Sequence, residues 1–444
     1  MVLAPVAADR ATLQRRVVRT LVTAQVLGGV GMAAGIAVGA LLAEELSGSE
    51  ALAGVGTTAQ VFGTALITIP VARATAARGR RLGLRLGLSL AFVGAGVVLV
   101  ASVMGSFPLF VVGMFLFGGG TTANNQARYA AADLAEPTRR GRDLSIVVWA
   151  TTIGSVAGPN LIGPGTEVAK ALGLPELSGT FVFSLVGFGL AWLVIDRLLR
   201  PDPLLTARQL DDAARDEQRG AQPGAPARVV DDSAAGAVAD APNHDGSMRR
   251  GITIVRARPQ AMQAMLVMAL GHLVMVGVMV MTPIHMKHGD AELQVIGFVI
   301  SVHILGMFAL SPLVGMAVDR WGGEWVATTG GVVLTVAALL ASRSHVGWSG
   351  LLLVALFLLG VGWSCTLVSG STLLTAAVAT DERPASQGVA DVVMGLMGAL
   401  GGAVAGFVVG FYGYGVLSGA AAVVGVLIIV LGLARGVRPP APTS

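Results

Sequence analysis

Residues 86–127 read LGLSLAFVGAGVVLVASVMGSFPLFVVGMFLFGGGTTANNQA, 42 consecutive positions between Arg85 and Arg128 without one Asp, Glu, Lys or Arg. A helix that crosses a bilayer needs about 20 apolar residues, so this stretch is long enough for two. Gly105-Ser106-Phe107-Pro108 at its middle supplies a break, because Gly and Pro punctuate helices. The reading is a pair of membrane-spanning helices joined by a tight turn.

The same test, run outward from charge to charge, finds ten more spans. Thr20–Ala43, Ala51–Ala72, Leu144–Thr166 and Leu177–Ile195 complete a first set of six. Pro259–Met286, Leu293–Val318, Trp325–Ser342 and Trp348–Leu373 follow, and two more lie between Arg383 and Arg435, divided near Tyr412-Gly413-Tyr414-Gly415. Composition agrees. Charged residues make up 13% of the 444-residue chain, against about 25% in soluble domains, and the mean hydropathy is +0.74. The 61 glycines suit helices that pack closely in lipid. Thr20–Ala43 follows a basic stretch, but it exceeds a signal-peptide core in length and lacks a cleavage site, so it reads as a retained helix.

Between the sixth and seventh spans, residues 200–258 are rich in Asp, Arg, Ala, Pro and Gly. Low hydrophobicity with mixed charge predicts disorder, with room for a short amphipathic helix. The domain plan is therefore a six-helix bundle over 1–199, a disordered linker over 200–258 and a second bundle over 259–444. With a cytoplasmic amino terminus, 27 of the 30 basic residues fall on the cytoplasmic side, Lys170, Lys287 and Arg343 being the exceptions. Both termini and the linker are then expected in the cytoplasm and the chain in the inner membrane. The formal charge of +4 is explained by these loops, and no nucleic acid is expected. Cys365 is the sole cysteine, so no internal disulfide forms. No nucleophile–base arrangement and no phosphate loop is present, which sets aside an enzyme and a resident cofactor. The expected partners are the bilayer and a small-molecule or metal-ion substrate, with the chain a monomer.

After the eighth span comes Gly315-Met316-Ala317-Val318-Asp319-Arg320-Trp321-Gly322-Gly323. This resembles the loop signature Gly-x-x-x-Asp-Arg-x-Gly-Arg/Lys of the Major Facilitator Superfamily (MFS). Two six-helix halves around a central linker are also that family's plan. The resemblance implies an all-α carrier working by alternating access, with Gly315, Asp319, Arg320 and Gly322 as a latch at the cytoplasmic face. The matching first-half loop, Ala76-Ala77-Arg78-Gly79-Arg80-Arg81, keeps the glycine and arginines but has no aspartate. In the fifth span, Gly154 to Gly163 resembles the Gly-x-x-x-Gly-Pro motif of MFS antiporters; close packing is the alternative reading.

Polar residues inside a membrane default to functional hypotheses. Asn124, Asn125, Gln126 and Arg128 end the fourth span, and Asp391 stands alone in the eleventh. Arg128 either reaches the cytoplasmic surface or pairs with Asp391, which in turn either carries a proton or is solvated at its helix end.

Nine of 16 methionines lie between Met262 and Met316, and four of six histidines between His272 and His303. Met268, His272, Met275 and Met279 share one helical face, as do His303 and Met307. Met275 and Met279 lie roughly 18 and 12 Å below Lys287, and His303 roughly 16 Å below Glu292, at 1.5 Å per residue. His285, Met286 and His288 lie further out as a collection point. Thioether with imidazole favours Cu(I); a methionine stripe is otherwise adaptable packing. Met275-x-x-x-Met279 and His303-x-x-x-Met307 resemble the paired motifs of the CcoA-like copper-importing MFS branch, which implies copper as substrate and these four residues as ligands. Proton-coupled efflux of a small organic molecule through a Met-lined cavity is the rival, and a non-transporting membrane sensor a third reading.

Overall fold

A chain in lipid must satisfy each backbone N–H and C=O within itself, which leaves long apolar runs no option but helix. A computed structural model describes residues 3–49, 52, 54–220 and 247–434, and its first half follows that rule: α1 (Leu3–Ser47), α2 (Val55–Arg78), α3 (Arg80–Met104), α4 (Phe107–Ala130), α5 (Arg140–Asn160), α6 (Ile162–Leu172) and α7 (Thr180–Leu198). Two helices of the linker follow, α8 (Pro203–Gly220) and α9 (Met248–Ala257). The second half holds α10 (Pro259–Lys287), α11 (Leu293–Phe308), α12 (Ser311–Trp321), α13 (Gly323–Ser342), α14 (Gly350–Ala377), α15 (Arg383–Tyr412) and α16 (Tyr414–Leu433). Eleven of these stretches are long and apolar enough to cross a membrane, and the bent pair α5–α6 makes twelve. The fold is all-α, with no strand among the described residues.

The break expected near Gly105 is there. Gly105 adopts φ +62° and closes α3 by donating to Ala101 and Ser102, and Pro108 opens α4. The fifth span is not one helix, however: α5 and α6 meet at 63°. Pro164 has no N–H to offer the carbonyl of Asn160, so the helical ladder is interrupted where the chain turns.

Each half has its own core. In the first, Phe117 meets Phe181 and Phe188 edge-on at 5.7 and 5.2 Å between ring centres, the geometry aromatic quadrupoles favour. In the second, Leu334, Leu352, Leu356 and Leu359 are buried between α13 and α14.

The expectation of disorder across 200–258 is corrected at both ends of the linker, and residues 221–246 lie outside the described residues. Asp202 accepts from the backbone N–H groups of Leu204 and Leu205 at the start of α8, and from that of Arg81 at 2.8 Å. Leu204 and Ala207 are buried, and Arg208 donates to the Ala76 carbonyl at 2.9 Å. On the other side α9 buries Ile254 and Val255, and Arg250 pairs with Asp381 at 3.2 Å. Composition over 59 residues is too coarse to show two short amphipathic helices with specific anchors.

Candidate functional site

The turns after α2 and after α12 have one backbone shape: Gly79 at φ +90°, ψ +175°, and Gly322 at φ +91°, ψ +151°. Only glycine takes that conformation without strain, which is why both loops keep it although their charges differ. In the second-half loop Asp319 reaches across to the first half. Its Oδ1 accepts from Gly141 N–H at 2.7 Å and its Oδ2 from Arg142 N–H at 2.8 Å. These belong to the first turn of α5, whose donors have no partner within their own helix. Asp319 is therefore an N-terminal cap supplied by the opposite half. Gly315 permits the approach, since a Cβ there would stand 2.1 Å from Ser145 Oγ. Arg320 does not join Asp319 in a charge-pair latch; its guanidinium lies over the Trp321 ring, 5.9 Å from the centroid.

At the same end of the bundle a buried charge network joins the halves. Arg80 bonds Asp133 at 2.7 Å, both side chains being wholly inaccessible, and also Gln126 at 2.9 Å and Gln387 at 2.6 Å. Arg383 adds a bond to the Asp133 carbonyl at 3.3 Å. Arg128 does not run to the surface. It pairs with Asp391 at 2.6 Å, and Gln126 and Tyr129 donate to the same carboxylate at 3.0 and 3.4 Å. Asn125 accepts from Arg128 at 3.0 Å. Among the described residues, the side-chain hydrogen bonds that join the two halves lie at this linker end, and the opposite end has none. The hydrogen-bonded closure between the halves is thus at the linker end.

Beyond this closure lies a cavity of about 400 Å³, framed by α1, α3, α4, α5 and α7 and faced by Ile304, Met307 and Phe308 of α11. Its wall is mainly apolar, from Met32, Ile36, Leu88 and Phe188, with Gln25, Thr121, Asn124 and Thr151 as its polar groups. Among the described residues, no charged side chain lines it. Gln25 donates to Thr151 at 3.0 Å, which bridges α1 and α5.

The methionine and histidine positions divide. α10 and α11 scarcely touch, because α14 packs against both. Met268 is buried and takes part in the ion-pair cluster, accepting from Ser371 at 3.3 Å. His272 Nδ1 accepts from Trp363 Nε1–H at 3.0 Å. Met275 is buried in the second-half core and Met279 is packed against it. His303 is buried, its Nδ1 donating to the Leu356 carbonyl at 2.8 Å, and its Nε2 has no partner. Met307 faces the cavity. The two faces expected at one depth are thus linked through α14 more than through direct contact, while Met275, Met279 and Met307 belong to one apolar cluster of the second half. The outer group does not converge either: His285 stacks on Tyr414 at 4.2 Å, Met286 is buried in the core and His288 is exposed.

In the fifth span Gly154 and Gly158 are packing glycines. A Cβ on either would stand 2.4 Å from Gly29 or Ala33 of α1. The sequence reading missed Asp133, Arg80, Gln387 and Arg383 as one network. A signal was present, since Asp133 falls five residues past Arg128 and Arg80 inside the degenerate loop, but their partners lie about 250 and 307 positions away.

Comparison with known proteins decides the family. The Major Facilitator Superfamily model matches residues 20–293 and 290–444. The chain belongs to the Major Facilitator Superfamily. An uncharacterized MFS-type transporter of Bacillus subtilis (strain 168), YddS, is 35% identical over 417 residues, 94% of this chain and 90% of that protein. The riboflavin transporter RfnT of Brucella anthropi is 25% identical over 389 residues, 86% of each chain. The crystal structure of the human organic anion transporter MFSD10 superposes with a TM-score of 0.72 at 17% identity, covering 94% of this chain and 99% of that one, a likeness of fold. The chain is thus a multi-pass MFS transporter, and the family and fold are those of carriers rather than enzymes. None of these relatives supports the copper-importing branch.

Proposed function

We propose that this MFS carrier moves a small, uncharged, amphipathic organic molecule by alternating access. The cavity carries this reading: about 400 Å³ falls within the ~300–1,000 Å³ typical of small-molecule sites, which are apolar with a few placed polar groups. A wall without charge favours a neutral substrate, because an ion there would have no counter-charge. Gln25 and Asn124 offer amide donors and acceptors, and the name of RfnT, a riboflavin transporter, fits a heteroaromatic cargo of this size. Coupling follows from Asp391: a proton on its carboxylate would weaken the bond to Arg128 and loosen the closed end. If both termini are cytoplasmic, as the loop charges imply, this reading takes the linker-end closure as that of an outward-facing state.

The test is transport in proteoliposomes with riboflavin and a panel of neutral heteroaromatics under an imposed proton gradient. Asn124→Leu and Gln25→Leu should each reduce flux of the transported member at least tenfold. No flux of any neutral compound in wild-type protein would defeat the proposal. One observation favours the copper reading as second. His303 holds Nδ1–H on a carbonyl and leaves Nε2 free, the orientation that metal-binding histidines adopt. Copper accumulation lost on Met275→Leu, Met279→Leu, His303→Leu and Met307→Leu, with neutral organic flux absent, would put that reading first.

A further inference from the structure

Several arginines of the closed end are matched with acids. Arg80 and Arg383 share Asp133, Arg81 and Arg85 share Asp196, Arg128 has Asp391, and Arg258 has Glu382. Three arginines on the periphery of the same end are instead gathered in one cavity. Arg15, Arg16 and Arg19 of α1 line a second cavity of about 480 Å³ with Thr12, Thr20, Thr23 and Leu198. Among the described residues the cavity wall holds no carboxylate. Arg15 is bonded to the Thr12 hydroxyl at 3.2 Å, and Thr20 and Thr23 turn their hydroxyls back onto their own helix.

Thr12, Arg16, Arg19 and Thr23 recur every three or four residues, with Arg15 beside Arg16, which places them on one side of α1. From Arg15 to Arg19 that face rises ~6 Å, the depth of one headgroup layer in a bilayer of ~40–45 Å with a ~30 Å core. Beside it the outer surface of α7 is apolar, with Leu190, Leu193 and Leu198 exposed. Three cations with no carboxylate among the described lining residues, at headgroup depth and above a lipid-facing apolar surface, match a molecule that is anionic at its head and hydrocarbon below. We propose that this α1–α7 cavity binds the phosphate headgroup of an anionic phospholipid, with the acyl chains along α7. Basic pockets between membrane helices recognise such headgroups by charge, and arginine chelates phosphate oxygens in a planar fork.

The experiment is native mass spectrometry of the full chain with phosphatidylglycerol or phosphatidylcholine. An Arg15→Gln, Arg16→Gln, Arg19→Gln variant should lose phosphatidylglycerol affinity by about tenfold or more, with phosphatidylcholine unchanged. Removing three other exposed charges (Arg139→Gln, Arg249→Gln, Arg256→Gln) should leave it intact. Equal losses in both triple variants would reduce the effect to net charge and overturn the site. Displacement of phosphatidylglycerol by millimolar inorganic phosphate would overturn the lipid assignment in favour of a free-anion site. If the first triple variant does not insert, a photoactivatable phosphatidylglycerol on wild-type protein decides instead. Crosslinks within residues 12–23 support the site, and crosslinks elsewhere alone refute it.

Discussion

Replacing Asp319 with asparagine tests whether the inter-half cap holds the closed end. Both carboxylate oxygens are engaged, at 2.7 and 2.8 Å, with the second and third N–H groups of α5. Asparagine keeps one acceptor, turns an NH2 group toward the other donor and loses the charge that the helix N-terminus attracts. Hydrogen bonds to charged groups contribute about 1.5–3 kcal/mol, and loss of a helix N-cap costs about 0.5–2 kcal/mol. Asp319 is only half-buried, so the low end applies and the closed state should lose about 1–2 kcal/mol. At about 1.4 kcal/mol per factor of ten, the fraction open at the linker end rises roughly 5–30-fold. The readout is alkylation of a cysteine at Ser311, a wholly buried residue whose hydroxyl donates across the halves to the Ser145 carbonyl at 3.1 Å. The sole native cysteine, Cys365, is buried in α14 and gives little background. In the Ser311→Cys background, Asp319→Asn should raise the alkylation rate by that factor and Asp319→Ala by more. Equal rates in all three proteins would show that the cap does not hold the gate.

Arg80→Ala should be the most destabilising single change at the closed end. Breaking a buried pair costs about 3–5 kcal/mol, here with Arg383 left as the more distant cation for Asp133 at 3.5 Å; the loss is read as a fall in thermal midpoint in detergent, and a midpoint within error of wild type would contradict the network. Gly158→Leu should abolish insertion or folding, because its Cβ alone would stand 2.4 Å from Ala33; a normally expressed, monodisperse variant would show that α1 and α5 can separate freely. For sidedness, a cysteine at His288 should react with an impermeant maleimide on intact cells while one at Arg139 should not, both positions being exposed. The reverse pattern would invert the topology.

Legibility followed the range of the interaction. A membrane span is decided by some twenty neighbouring residues, so the run from 86 to 127 announces α3 and α4 and fixes their break at Gly105. The linker helices were obscured by their flanks: Leu204 and Ala207, or Ile254 and Val255, are two apolar residues each in a charged, Ala- and Pro-rich tract. Arg128 illustrates a third case. Its position in the last turn of α4 allows both an exit to water and a buried pair, and only the approach of α15 decides for Asp391. For the methionine stripe the information that sequence lacks is adjacency. Matching depth on two consecutive helices says nothing about α14 standing between them.

The two halves show how one scaffold carries unequal gates. Gly79 and Gly322 impose the same turn, so the residues three positions earlier, Ala76 and Asp319, occupy matching places. Asp319 caps a helix of the opposite half, whereas Ala76 has no side chain to offer and gives its carbonyl to Arg208 of the linker. The first-half loop is held instead by Asp202, which bonds the Arg81 backbone from beyond α7 and would be struck by any Cβ on Gly79, at 2.5 Å. Its reach across the interface passes to Arg80, through Gln387. One gate half is thus a carboxylate on backbone donors, partly open to water. The other is a guanidinium in a fully buried side-chain network, where the local dielectric is lower and an unmatched charge is costlier. The two halves of the closure should therefore differ in their response to salt, with Asp319 screened and the Arg80 network scarcely affected.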